Sequence, residues 1–345
     1  MSFRKINYKL RPAKTVERKM ITESFRKLSA FNHISDYQYI GFGSIYFVDF
    51  VLFHKHLGIK KMISIEKDAN AQSRVEFNKP FSCIDMHFDT SSNVLPKLEL
   101  DRPSIIWLDY DGKLSTDCLS DLSTTCSNLA PGSVLMATLN VQAESIINIA
   151  KDEKQEEGDD DEIYVSVGKE EIFEHRLKIL EEQISRYKIP ADIEAKDLTP
   201  NGLPKLIARI LENEISSALD TRNLGLDDTE YLYFKQLYNI KYEDGAAMLT
   251  FGGIIVSADQ LDTFDSANFF ELPYCTPEKD AFHIKIPNLT TKEVVLLDSQ
   301  IHEAYDFKDL SLKAIPKPLK FINSSEIKSY AEIYRFYPTF TESIW

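Results

Sequence analysis

The chain has 345 residues, 43% of them hydrophobic, with 21 Phe and 16 Tyr, so it can bury a large core as one enlarged domain or two, and a disordered protein is excluded. No run approaches the roughly 18 apolar residues that span a bilayer, and no apolar stretch follows the basic start MSFRKINYKLRPAK, so a cytoplasmic protein without a membrane partner is expected. The formal net charge of −14 argues against a chain that wraps nucleic acid, because phosphate binding needs a concentrated positive surface.

That average hides an asymmetry. Residues 1–27 hold nine Lys or Arg against Glu17 and Glu23, a balance of +7, which leaves −21 for the remainder. A basic N-terminal segment, 1–36, thus precedes an acidic body. It reads either as a solvated amphipathic helix packed on that body or as a surface for phosphate, nucleic acid included, or another anionic substrate. Arg11 and Lys14 flank Pro12, which disfavours helix just before it, so the pair is expected on an extended segment. Arg18 falls on a helix expected through Leu28.

From Tyr37 to Leu139 short apolar runs alternate with amphipathic stretches, the signature of a parallel sheet with crossover helices. Strands are predicted at about 38–42, 61–65, 83–87, 104–108 and 133–139. Helices are predicted at about 44–57, where Gly58 follows as a C-terminal cap, at 69–78 before Pro80, and at 115–129 before Pro131-Gly132. The four cysteines, Cys83, Cys118, Cys126 and Cys275, form no CxxC and no zinc-like spacing with His, which predicts buried, inert thiols.

The acidic run KDEKQEEGDDDE at 151–162 cannot join a core and reads as a surface loop. Amphipathic helices are predicted at about 169–187 and 203–219, a helical insertion covering 151–230 together with the acidic loop. YLYFKQLYNIKY and AAMLTFGGIIV flank Glu243-Asp244-Gly245, and Asp-Gly between two strand-like runs predicts a hairpin over 231–256. In the mixed region 257–345, Thr290 and Glu293 have capping-box spacing for a helix reaching Leu297 or Ile301, and Asn323 and Glu326 repeat that spacing for a final helix.

The most informative stretch is Tyr39-Ile40-Gly41-Phe42-Gly43-Ser44, a Gly-x-Gly where a strand gives way to a helix. Glycine suits that turn because a Cβ would block a cofactor from lying on the backbone. Glu66, directly after the second strand, is placed to accept bonds from both hydroxyls of an adenosine ribose. A dinucleotide would ask for a third glycine where Tyr46 stands, and a nucleoside-triphosphate loop would need Gly-Lys-Ser or Gly-Lys-Thr, which is absent. S-adenosylmethionine has no pyrophosphate and remains compatible with two glycines. The competing reading is an ordinary glycine turn with a solvent-facing Glu66.

The succession Gly41-Phe42-Gly43, Glu66, Asp89, Asp109-Tyr110-Asp111 resembles class I S-adenosylmethionine-dependent methyltransferases over about 37–140, and the 231–256 hairpin resembles the antiparallel sixth and seventh strands of that family. More narrowly, RPAKTVERKM, YIGFGSIYFVDF, MISIEKD and IIWLDYDG are similar to an uncharacterised bacterial family labelled putative O-methyltransferase. The resemblance implies that Gly41 and Gly43 let the methionine part lie on the backbone, that Glu66 holds the ribose, and that Asp89 bonds the adenine amino group. It places Asp109 beside the sulfonium and the acceptor. The chain departs from the family at Tyr39, where an acid is usual, and at Ile45, where a third glycine is usual.

Asp109-Tyr110-Asp111 lacks the Pro-Pro of DNA amine methyltransferases and is similar to the Asp-x-Asp of metal-assisted O-methyltransferases; one functional Asp with one turn-forming Asp is the simpler reading, and no metal is assigned. His54 and His56 sit two apart on a helix and point to different faces. No Gly-x-Ser-x-Gly elbow supports a hydrolase. Trp107 reads as core. The expected fold is therefore α/β, a Rossmann-like doubly wound sheet over a 37–150 cofactor-binding core, with a terminal antiparallel hairpin and a helical insertion after strand five. Asp109 or Asp111 is the best available base, and Arg11 and Lys14 are assigned to the mouth of the cofactor pocket. The acceptor is unidentified, with an oxygen expected; the alternative is a catalytically inactive binding module, possibly nucleic-acid-associated.

Overall fold

A computed structural model describes residues 11–145, 168–306, 311–313 and 319–338. The acidic run at 151–162 lies outside the described residues. In chain order the elements are α1 (Pro12–Phe25), β1 (Gln38–Gly41), α2 (Val48–Leu57), β2 (Lys61–Ile65), α3 (Gln72–Asn78), β3 (Ile84–His87), α4 (Ser91–Val94), β4 (Ser104–Asp109), α5 (Thr116–Asn128) and β5 (Ser133–Asn140). There follow α6 (Lys169–Gln183), α7 (Leu203–Asn223), β6 (Leu232–Glu243), β7 (Ala247–Ser257), α8 (Leu261–Ala267), β8 (Phe282–Ile284), α9 (Thr291–Asp298), α10 (Ile301–Ala304), β9 (Tyr305–Asp306), β10 (Ser311–Leu312) and α11 (Ser324–Ile333).

Eight strands form one sheet in the order β3-β2-β1-β4-β5-β7-β6-β8, and β9 with β10 form a separate two-stranded ladder. β1 to β5 are all parallel, β7 runs against both β5 and β6, and β8 is parallel to β6. Only one strand of the hairpin is thus reversed relative to the body of the sheet. The strand order turns back between β1 and β4, and the crevice position at which open α/β sheets bind ligands lies beyond the carboxyl ends of those two strands.

Period-two alternation assigns the two faces. Tyr39, Met62, Ile105, Trp107 and Met136 pack with α1 and α2 on one side, while Ile40, Ile63, Ile106, Leu108 and Leu135 pack with α5 and α7 on the other. Burying both faces explains why these strands read as unbroken apolar runs. The C-terminal region adds the edge strand β8 and a smaller core around Leu297, Leu319, Ile322, Ile327 and Tyr330. No helix among the described residues is long and apolar enough to cross a membrane.

Several boundaries differ from the sequence reading. The predicted helix at 44–57 begins at Val48, because residues 44–47 form a turn in which Ser44 and Phe47 take φ of 48° and 47°. The helix opened by Thr290 stops at Asp298, and Ile301 starts a separate short one. α7 runs on to Asn223, and the helix expected through Leu28 ends at Phe25 and passes into a 3-10 turn.

The largest correction is to the basic segment. Pro12 fits the first turn of a helix, where no donor is missed, so only Arg11 is extended and Lys14 lies inside α1. The expected packing of a helix on the acidic body holds, but at these positions it is neither solvated nor a phosphate surface: Lys14 and Arg18 are buried and paired with acids of the body, and Ala13, Val16, Met20, Ile21 and Phe25 belong to the sheet's own core. Arg11 gives no side-chain cap. The cap comes from the β6–β7 turn, where the Asp244 carboxylate accepts from the amides of Ala13 (3.2 Å) and Lys14 (2.8 Å), with Arg11 Nε 3.8 Å away. Asp244→Ala is expected to lower stability by about 1–2 kcal/mol, read by urea denaturation, with Asp244→Asn recovering most of it. A midpoint unchanged in the alanine variant would show that this cap contributes nothing.

Candidate functional site

The turn 41–47 follows β1 at the crevice position between β1 and β4. A Cβ on Gly41 would lie 2.5 Å from the Tyr39 hydroxyl, and one on Gly43 would lie 2.5 Å from Ser64 Oγ and 2.7 Å from the Phe47 ring. Real Cβ atoms do not tolerate such contacts, so both glycines have a packing reason of their own: they clear space for the chain's own side chains. Gly43 N also donates to Ser64 Oγ at 3.2 Å, which ties the turn to β2. The left-handed Ser44 and Phe47 are the strained residues of this turn.

Glu66 stands just past β2, half-buried, with Oε1 accepting from the Asp68 amide at 3.1 Å. Burial raises its carboxyl above the ordinary value, the Asp68 amide opposes this, and the charges of Asp68 and Asp111 push it further up. Glu66 and Asp111 are therefore brought to one edge. Asp89 is engaged locally: its Oδ1 accepts from Thr90 N (2.7 Å) and Asn93 Nδ2 (2.8 Å), bonds that hold its carboxyl below the ordinary value. Tyr110, between Asp109 at the end of β4 and Asp111 beyond it, points to the opposite face, meeting Phe42 edge-on at 5.2 Å and donating to Asp121 at 2.7 Å.

Asp109 faces α1. Its Oδ1 accepts from Lys14 Nζ at 2.9 Å, and the same ammonium lies 2.8 Å from Glu17 Oε2, 4.4 Å from the centre of the Trp107 ring and 5.4 Å from that of Tyr242. Arg18 bonds Asp49 of α2 through its Nε. Burial pushes the Asp109 carboxyl up, but the charges of Lys14 and Arg18, the Lys14 bond and the charge of Arg11 outweigh it and hold the group below its ordinary value. Glu17 goes the other way: burial dominates over Lys14, and its carboxyl is raised.

A one-way chain of donors runs into the same cluster. Trp107 Nε1 donates to Thr138 Oγ1 (2.8 Å), the Thr138 and Thr250 hydroxyls are 2.6 Å apart, and Thr250 donates to Glu17. Because Thr250 spends its proton on Glu17, Thr138 must donate to Thr250. Three strands are thereby tied to one helix.

Sequence reasoning placed Asp109, Lys14 and Arg11 at one edge but missed Glu17, Asp49, Tyr242, Asp244 and Thr250. The signal was partly present. Arg11, Lys14 and Arg18 recur at helical spacing, and Asp49 is a lone acid in the apolar run VDFVLF. The other motif candidates lead elsewhere. His54 Nδ1 meets Ile59 O at 2.8 Å, and among the described residues no three His, Cys, Asp or Glu are grouped to hold a metal. Cys118, Cys126 and Cys275 are buried and Cys83 half-buried, and burial pushes Cys126 and Cys275 up to about 12. A cavity of about 250 Å³ between β8 and α11 is separate from the crevice, lined by Tyr274, Phe282, Tyr305, Tyr334 and Phe336 among others.

The strand order, with β7 alone reversed and helices on both faces, defines a Rossmann-like fold of the methyltransferase type. The chain matches the family described as "Putative O-methyltransferase" over residues 6–345 and belongs to it. Solved structures to which the chain is similar in part include a "putative transferase" from Pyrococcus horikoshii (10% identity, TM-score 0.35, covering 69% of this chain and 63% of that one). Two others are an "S-adenosylmethionine-dependent methyltransferase" from Clostridium acetobutylicum (14%, 0.29, 42% and 58%) and a "putative S-adenosylmethionine dependent methyltransferase" from Listeria monocytogenes (10%, 0.28, 35% and 54%). The chain thus spans less than two thirds of each. No curated protein matches it.

Asp109→Asn leaves the buried Lys14 with Glu17 alone and is expected to cost about 3 kcal/mol in chemical denaturation at neutral pH. Because the native carboxyl titrates below the unfolded one, the contribution of Asp109 is complete above the unfolded carboxylate range and is lost as pH falls through the lower native value. The gap between wild type and variant should therefore be flat near neutrality and close in acid. A gap that narrows instead towards alkaline pH would contradict this assignment.

Proposed function

We propose that the protein transfers a methyl group from S-adenosylmethionine to an oxygen acceptor. The observation that carries this reading is the juxtaposition of Glu66 and Asp109 on either side of the Gly41–Phe47 turn at the order reversal of the sheet, in a chain of this family. Glu66 fits the ribose: it is half-buried, one oxygen is engaged by the Asp68 amide, and a carboxylate can accept from two vicinal hydroxyls. Asp89, beyond β3, is assigned to the adenine amino group, and the turn bearing Gly41 and Gly43 to the methionine part. When bound, the cofactor supplies an electrophilic methyl on a sulfonium.

What this chain contributes is proximity and orientation. The turn is fixed by Ser64 and Phe47, and Asp109 is fixed by Lys14, so the groups facing the acceptor are held in place before it arrives. Asp109 and Asp111 stand at the acceptor side. Burial of Lys14 and Arg18 removes them from any phosphate surface, which favours a small molecule or a protein side chain over nucleic acid. With Lys14 sealed by Asp109 and Glu17, Arg11 is the cation of the pair left to border the crevice mouth.

Calorimetry with S-adenosylmethionine and S-adenosylhomocysteine tests the cofactor. Saturable binding is expected, weakened by about 1–3 kcal/mol in Glu66→Ala. No heat with either ligand, together with saturable binding of NAD, would overturn the reading.

A further inference from the structure

Asp109 is caged by one helix. Lys14 and Arg18 of α1 and Arg11 just before it bring three cations to it, while Glu17 of the same helix, Asp49 of α2 and Asp244 of the β6–β7 turn share those cations. Tyr39 of β1 and Tyr242 of β6, both buried, complete the groups that face it. The side chain of Asp109 keeps 17% of its exposure at the crevice, whereas that of Lys14 keeps none. The ammonium can therefore reach neither water nor a ligand directly. Whatever it does for the crevice it does through Asp109.

A strand-end carboxylate left to itself rotates about two bonds and titrates as its surroundings allow. Here the Lys14 stem is fixed in the core between Trp107 and Tyr242, and its ammonium is anchored a second time by Glu17, so the bond to Asp109 Oδ1 sets the carboxylate's direction. We infer that Lys14 is a positioning residue for Asp109, and that Asp109 serves the crevice as a fixed negative charge rather than as the group that takes the acceptor's proton. This rests on the reading of the β1–β4 edge as the methyl-transfer site. A general base works best with a proton affinity matched to the operating pH, and three cations drive Asp109 away from that condition. The proton of a hydroxyl acceptor then leaves through Asp111, exposed two residues further on, or to solvent.

The test is a carbon-13 NMR titration of the aspartate carboxyls in the full, ligand-free chain, with the Asp109 signal identified by its loss in Asp109→Asn. From neutral pH to the acid limit of folding, wild-type Asp109 should stay ionised after the exposed aspartates have begun to titrate. Its midpoint should move up to or above theirs in Lys14→Met and return in Lys14→Arg; a merely structural lysine would lower the melting temperature and leave the midpoint in place. An unmoved midpoint in a folded Lys14→Met would overturn the inference. If that variant does not fold, the wild type alone decides, since Asp109 titrating with or above the exposed aspartates would be sufficient to reject it. Calorimetry that finds no cofactor while the titration behaves as expected would remove the methyl-transfer reading and leave the Lys14–Asp109 lock standing.

Discussion

The buried ammonium of Lys14, shared between Asp109 and Glu17, is the interaction on which the rest of the site depends. Taking an unpaired charge into a core costs several kcal/mol, and a buried pair recovers this only with good geometry and further bonds. The surroundings supply both: two carboxylates within 2.9 Å, two aromatic faces, and a chain of hydroxyls that satisfies Glu17 from behind. The pairs do not provide the main attraction between α1 and the sheet. Val16, Met20, Ile21 and Phe25 do that, at about 1.5–3 kcal/mol for each fully buried side chain.

What the pairs supply is register. Apolar contacts tolerate sliding, but rotating α1 by one residue would turn its cations by about 100° and part them from acids that come from separate elements. Asp49 of α2, Asp109 of β4 and Asp244 of the β6–β7 turn each meet α1 through one polar contact or more, so the helix fixes three parts of the molecule relative to one another.

The glycine turn carries a related lesson. Gly41 and Gly43 are what a cofactor-binding turn requires, and they are also what Tyr39, Ser64 and Phe47 require in order to pack beneath it. A ligand and a neighbouring side chain impose the same demand on a backbone, namely the absence of a Cβ. The residue type alone does not separate the two. Glu66 is more telling, because only one oxygen of this half-buried carboxylate at the end of an apolar strand is engaged locally, by the Asp68 amide, and burial raises the group above its ordinary value.

The sequence by itself determined the sheet. Five parallel strands, the crossovers between them and the long hairpin follow from apolar periodicity and turn chemistry, which are local properties and were legible within a residue or two at most boundaries. It also placed Glu66, Asp89 and Asp109 at strand ends, since strand ends are set by the same periodicity. Glu66 and Asp89 are bonded by groups within four residues of them, but only the tertiary structure decided what surrounds Asp109. Lys14 and Asp109 are 95 residues apart and Lys14 and Asp244 are 230 apart, so their pairing depends on the packing of α1 across the whole sheet and leaves no trace in any window of sequence. The same holds for the basic segment: its sequence left packing on the acidic body and a phosphate surface side by side, because Lys and Arg are seldom buried, and what makes burial of Lys14 and Arg18 tolerable is a set of acids contributed from distant parts of the chain.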